Sequence, residues 1–217
     1  MTAGKISALI AVLALVGIVR ANAFPLVPPM PQEHVVTITP GQNKLLCFGG
    51  TTESSGYGGR CTPNPMDAKD SVTLDTTDGH VDGSHAGIYT NDSTMYGRKL
   101  GDVSRLSFRY TGSSPTANSP RFSLPIDKDG DGAFDQWAFI HALDCNDGAG
   151  SVDAIINQKC PIKLEGAATY DNWAALVAAF PNARIARNQY VLGLVFIVAD
   201  EPGIWTVDRV KFGYPAK

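Results

Sequence analysis

Residues 127–135 read Asp-Lys-Asp-Gly-Asp-Gly-Ala-Phe-Asp, and the segments on both sides of this run alternate apolar and polar residues. RFSLPI precedes it, with Phe122, Leu124 and Ile126 on one side, and QWAFIHAL follows it. Period-two alternation marks a strand with one buried face. Carboxylates packed this densely repel one another unless a cation sits among them. The run therefore predicts a tight loop between two strands, and the strands commit this part of the chain to β structure.

The spacing matches a calcium loop. Asp127, Asp129 and Asp131 fall at positions 1, 3 and 5, and Gly132 falls at position 6, where the chain must turn sharply. The Ala133 carbonyl falls at position 7 and Asp135 at position 9. Calcium takes roughly six to eight hard oxygen ligands, which such a loop supplies. Position 12 is Ala138 where a complete EF-hand has a bidentate glutamate, and the flanks are strands rather than helices. A further oxygen is expected from Asp144 or Asp147. The alternative is a solvated acidic turn. The ion's expected role is structural.

Other segments extend the β pattern. HVVTIT, KLLCF, VTLD, GIYT and IWTVDRVKF read as short strands. In VSRLSFRY, Leu106, Phe108 and Tyr110 face one way and Arg105, Ser107 and Arg109 the other. YVLGLVFIVA is nearly all apolar, which predicts a central strand buried on both faces. One helix is expected over TYDNWAALVAAFPN, where Trp173, Leu176, Val177 and Phe180 form one apolar stripe. Asp171 or Thr169 is expected to cap its start, and Pro181 and Asn182 to end it. Trp137 and Trp173 are expected in the core. The fold class is all-β: a β-sandwich or jelly roll of about ten strands, with one short amphipathic helix.

The first residues stand apart. Residues 1–23 carry Lys5, an apolar run from Ile6 to Val19 and an Ala21-Asn22-Ala23 cleavage pattern, so they read as a signal peptide. Residues 24–33 form a Pro-rich lead-in and residues 34–217 the sandwich domain. No later stretch is long and apolar enough to span a bilayer. The four cysteines suit an oxidising, extracellular location. Three pairings are possible, and spacing favours Cys47–Cys61 and Cys145–Cys160. The net charge of −3 argues against nucleic acid as a partner, and the leader takes Lys5 and Arg20 with it.

The polar faces suggest a ligand. Arg105 and Arg109 share a strand face, Arg121 begins the next strand and His141 lies on the one after. Trp205, Arg209 and Lys211 are expected on the outward face of the last strand. If these faces belong to one sheet, it offers cations with aromatic plates, which suits acidic sugars. The alternative is ordinary solvated sheet surface. No catalytic motif such as G-x-S-x-G or H-E-x-x-H is present. Asp75, Asp78, His80, Asp82 and His85 read as turn-rich loop residues rather than a transition-metal site.

GDVSRLSFRYTG, RFSLPIDKDGDG and EPGIWTVDRVKF together resemble secreted jelly-roll modules of the carbohydrate-binding type. The resemblance implies a jelly roll, a structural calcium ion and glycan contact, and no binding motif transfers residue by residue. The expectation is a secreted, calcium-stabilised sandwich that binds extracellular polysaccharide or cell-wall glycan without catalysis. A lyase or hydrolase acting on an acidic glycan is the second expectation. A surface-structural or adhesion protein is the third.

Overall fold

The computed structural model describes residues 33–37, 45–49, 51–52, 57–63, 71–77, 85–90, 93–116, 119–145, 150–187 and 194–215. They belong to the second of two compact units, Pro31–Lys217. The expected signal peptide and residues 24–32 of the lead-in lie outside the described residues, as do Asp78, His80, Asp82 and Asp147.

Two antiparallel sheets build the molecule. The strands in chain order are β1 (Glu33–Thr37), β2 (Leu45–Phe48), β3 (Thr51–Thr52), β4 (Tyr57–Gly58), β5 (Arg60–Pro63), β6 (Val72–Asp75), β7 (Ala86–Thr90) and β8 (Arg105–Gly112). They continue as β9 (Arg121–Asp127), β10 (Gln136–His141), β11 (Ser151–Asp153), β12 (Ile162–Leu164), β13 (Thr169–Tyr170), β14 (Arg184–Ile185), β15 (Val195–Ala199) and β16 (Ile204–Pro215). The first sheet runs β11-β8-β16-β6-β5, with β1 also paired to β16. The second runs β13-β12-β10-β9-β15-β7-β2, with β14 also paired to β9. β3 and β4 form a separate small hairpin. The all-β sandwich expected from the sequence is the fold.

Alternation places the core between the sheets. Leu106 and Phe108 of β8 point inward, as do Phe122, Leu124 and Ile126 of β9, all essentially inaccessible. Phe108 meets Phe122 across the gap edge-to-face, with 4.8 Å between ring centres. Such a pair adds about 0.5–1.5 kcal/mol beyond area burial. β15 lies between β9 and β7 and is almost wholly buried, as its continuous apolar sequence predicts.

Two tryptophans depart from expectation. In β10, Ala138 and Ile140 fill the core, so Trp137 turns to the outer face and is half-buried rather than core. Trp205 was expected outward, but it is completely buried with Val207. The cause is a β-bulge in β16. Asp208 pairs Arg109 and Lys211 pairs Ser107, so three steps on β16 match two on β8. Before the bulge Trp205 and Val207 face the core; after it Val210, Phe212 and Tyr214 do. One extra residue reverses the parity of everything beyond it. Trp205 therefore does not share a face with Arg209 and Lys211.

The helix expected at 169–182 is α2 (Trp173–Ala179), and Trp173 and Leu176 are buried. Its cap is Asn172, not Asp171 or Thr169: the Asn172 Oδ1 accepts from the Ala175 amide at 2.9 Å. Thr169 is already used in β13. The Trp173 indole donates to the Leu100 carbonyl at 3.1 Å. A second, one-turn helix, α1 (Ala142–Cys145), was not expected. Among the described residues no helix is long and apolar enough to cross a membrane.

Both expected disulfides form. Cys47 lies on β2, an edge of the second sheet, and Cys61 on β5, an edge of the first. The bond staples one open side of the sandwich. Cys145–Cys160 ties the end of α1 to the approach to β12.

Candidate functional site

The aspartate run is the hairpin connection between β9 and β10. Asp127 ends β9 and is 1% exposed. Its Oδ1 accepts from the Gly130 amide at 2.6 Å and its Oδ2 from the Gly132 amide at 2.8 Å. Asp129 accepts from the Asp131 amide at 3.1 Å, and Asp131 from the Ala133 amide at 2.8 Å. Asp135 reaches back to the Lys128 amide at 2.6 Å. Gly132 takes φ +97°, the left-handed turn that position 6 requires and that costs glycine little.

The carboxylates of Asp127, Asp129 and Asp135 converge, each offering one oxygen within 4.8 Å of the others. A cation among them would relieve their mutual repulsion, and an all-oxygen donor set suits a hard one. The trio can hold a metal ion. Asp131, expected at position 5, is exposed and lies outside this trio, its Oδ1 taken by the Ala133 amide. Asp144, expected as another ligand, is engaged elsewhere. It follows the far end of β10, about 20 Å from the loop at the usual strand rise, and it pairs with Lys163 at 2.8 Å.

The expected cationic face divides between the two sheets. Arg105, Arg109 and Arg209 lie on the first sheet, and Arg121 and His141 on the second. On the first sheet, Arg105, Ser107, Arg109, Ser151, Arg209 and Lys211 line an open groove of about 350 Å³. Arg105 Nε stands 3.6 Å from the Asp153 carboxylate. Arg109 makes a two-pronged bond to Asp208, Nε donating to Oδ1 at 2.8 Å and Nη2 to Oδ2.

On the second sheet, Arg121 and His141 are direct cross-strand partners. Arg121 pairs with Asp200 and lies over the Phe139 ring, 5.1 Å from its centre. His141 is 5% exposed, with Lys163 Nζ 3.2 Å and Asp144 Oδ2 3.4 Å from its Nδ1. Burial, then the Lys163 and Arg121 charges, hold its pKa below the usual 6.5, against the opposing pull of Asp144 and Asp200. The imidazole is therefore neutral at pH 7.

Sequence reading missed an aromatic strip on this same outer face. Phe134 of the aspartate loop meets Trp137 at 5.7 Å, and Trp137 meets Phe196 at 5.5 Å. Phe196 stacks on Tyr89 at 5.5 Å, and Phe48 lies 6.0 Å from both. Strand register carries the row across the sheet: Leu46, Tyr89, Phe196, Ser123, Phe139 and Lys163 stand opposite one another on successive strands. Phe48, Tyr89, Phe134, Trp137 and Phe139 are all half-buried, and each keeps some surface open. Ser123 is 4% exposed, and its hydroxyl has no partner among the described residues. Phe48 rests on Gly87, where a Cβ would stand 2.3 Å from its ring. The signal was present in the sequence as aromatics at the outward positions of strands whose inward positions were already filled. Only register reveals that those positions are neighbours.

Among the residues of the His/Asp-rich segment that are described, His85 packs its ring against Phe48 at 5.8 Å. Asp75 accepts from the Thr77 hydroxyl at 2.6 Å, which with the Thr77 amide lowers its pKa. Both act locally.

No protein-family model, curated protein or solved structure matches this chain.

Proposed function

We propose that the protein is a non-catalytic binder of extracellular polysaccharide, and that the second sheet's outer face is its binding surface. The carrying observation is the run of ring contacts from Phe48 through Tyr89, Phe196 and Trp137 to Phe134. Aromatic faces stack on the apolar faces of sugar rings, and polar groups at the margin bond the hydroxyls. Arg121 and Lys163 supply those groups. The strip ends inside the aspartate loop. Calcium bound by Asp127, Asp129 and Asp135 would fix Phe134 and with it one end of the platform. The ion then serves binding by ordering the surface, with no part in chemistry. Two disulfides and the signal-like residues 1–23 support a secreted protein.

The test is depletion from solution by a panel of neutral and acidic insoluble polysaccharides, with calcium and with chelator. Calcium-dependent depletion by one glycan class, lost in Trp137→Ala, is the expected result. Failure of every polysaccharide to deplete the protein removes the proposal.

A second reading has one observation in its favour. A neutral His141 stands directly opposite Arg121, beside Lys163 and Asp144. A lyase acting on an acidic glycan needs a group to neutralise the uronate and a group to take its proton. The near-complete burial of His141 weighs against that role. Release of unsaturated ends from a polyuronate would favour the lyase over the binder.

A further inference from the structure

We propose that the groove on the outer face of the first sheet is a second binding site, which takes the oxyanion groups of an anionic glycan. The inference rests on the reading above for the class of polymer, while the site itself is a different one on the opposite sheet.

Charge comes first. Four cations, Arg105, Arg109, Arg209 and Lys211, and one carboxylate, Asp153, line the groove. Two carboxylates answer them: Asp153 stands beside Arg105, and Asp208 is clamped by Arg109. Among the described residues no carboxylate pairs with Arg209 or Lys211. The chain as a whole is acidic, with a net charge of −3. A local excess of cations on such a molecule draws anions to this one place.

Backbone geometry points the same way. Arg209 has φ +50°, and among the described residues it is the one non-glycine with positive φ. Bulky side chains adopt this region at a cost, and glycine would build the bulge more cheaply. Without the bulge, Arg209 would continue the parity of Trp205 and Val207 into the core. The extra residue seats Val210 there instead and leaves Arg209 exposed beside Lys211. A strained arginine held at the rim of a cationic groove suggests selection for its side chain rather than for the turn.

The spacing favours a polymer over a lone anion. Arg105 and Arg109 share one face of β8 four residues apart, about 13 Å at the usual strand rise. Ser107 lies between them, directly opposite Lys211. The cations thus form a row along the strand, which suits charges repeated along a chain. Guanidinium forks bind carboxylate and sulfate alike, so the shared chemistry is the oxyanion.

The experiment is titration with two soluble oligosaccharides, a polygalacturonate fragment for carboxylate and a heparin fragment for sulfate, at low and high salt. The proteins are wild type, an Arg209→Gln/Lys211→Gln double variant, and Lys99→Gln, which removes an exposed cation outside the groove. Wild type is expected to bind at least one fragment, more weakly at high salt, and the fragment bound identifies the oxyanion. The double variant is expected to lose at least about tenfold in affinity, about 1.4 kcal/mol, with its melting curve unchanged. Lys99→Gln is expected to bind as wild type does. If the double variant melts early, Lys211→Gln alone leaves the bulge intact and reads a smaller loss in the same direction. No binding of either fragment by wild type, or equal binding by the groove variants, overturns the proposal. So does an equal loss in Lys99→Gln. A neutral glycan bound through the aromatic strip would survive all these outcomes, so the two sites fail separately.

Discussion

Phe134 leaves the aspartate loop to lie edge-on against Trp137, with 5.7 Å between ring centres. The contact joins a cation-competent loop to the aromatic strip on the second sheet. It gives the loop a mechanical consequence: whatever orders Asp135 also positions its neighbour Phe134.

Removing the cation should therefore loosen both the fold and the strip. An ion at 100 times its Kd, binding only the folded loop, contributes about 2.7 kcal/mol. For a domain of this size that is roughly 5–10 °C in Tm. Chelator should lower Tm by that order and shift Trp137 fluorescence, and Asp129→Ala should show both effects without chelator. A melting curve indifferent to chelator, with Asp129→Ala melting like wild type, would show that the loop holds no ion.

The strip itself should be needed for retention on polysaccharide. Trp137 is only half-buried, so Trp137→Ala removes a central plate without emptying the core. A loss of at least about tenfold in affinity is expected, with a small change in Tm. Tyr89→Ala should act in the same direction. Full retention by both variants would move binding away from this face.

Acid should weaken the fold through His141. Its folded-state pKa is depressed, first by burial and then by Lys163 and Arg121. Above the unfolded value of 6.5 both states are neutral, and its contribution is complete. As pH falls below that value the unfolded chain takes up a proton that the folded site resists, so stability is lost until the folded pKa is passed. Urea unfolding at stepped pH should show this slope, and His141→Gln should remove it. Parallel pH curves for variant and wild type would exclude His141 as the source.

The Cys47–Cys61 staple joins the edge strands of the two sheets. Replacing both cysteines with serine should cost about 3 kcal/mol in the chain-entropy model for a loop of this length. Denaturant unfolding measures it. No change in the midpoint would mean that the sandwich edge is held by packing alone.

Gly87 is predicted to tolerate no side chain. A Cβ there would stand 2.3 Å from the Phe48 ring and 2.5 Å from the Ile197 carbonyl oxygen. Gly87→Ala should destabilise by about 1–3 kcal/mol and displace Phe48 from the strip. Thermal melting and glycan retention should fall together; a variant that keeps both would show that Phe48 is free to move aside.

Legible in the residues alone were the class of fold, the inward faces of β8 and β9 and the aspartate hairpin, while cysteine spacing favoured the two disulfide pairs without deciding them. These are local properties: alternation, turn spacing and loop length act over a few residues. The faces of Trp205 and Trp137 emerged only in the assembled sheets, because the face a strand residue takes depends on register, and in β16 the bulge between Asp208 and Lys211 reverses it. The same bulge put Arg209 beside Lys211 and separated both from Trp205. Sheet membership set Arg105 and Arg109 apart from Arg121 and His141, since strands adjacent in the chain, β8 and β9, entered opposite sheets. The aromatic strip draws on β2, β7, β15, β10 and the loop before β10. Chain segments from position 48 to position 196 become neighbours there only when five stretches of backbone find their hydrogen-bonding partners.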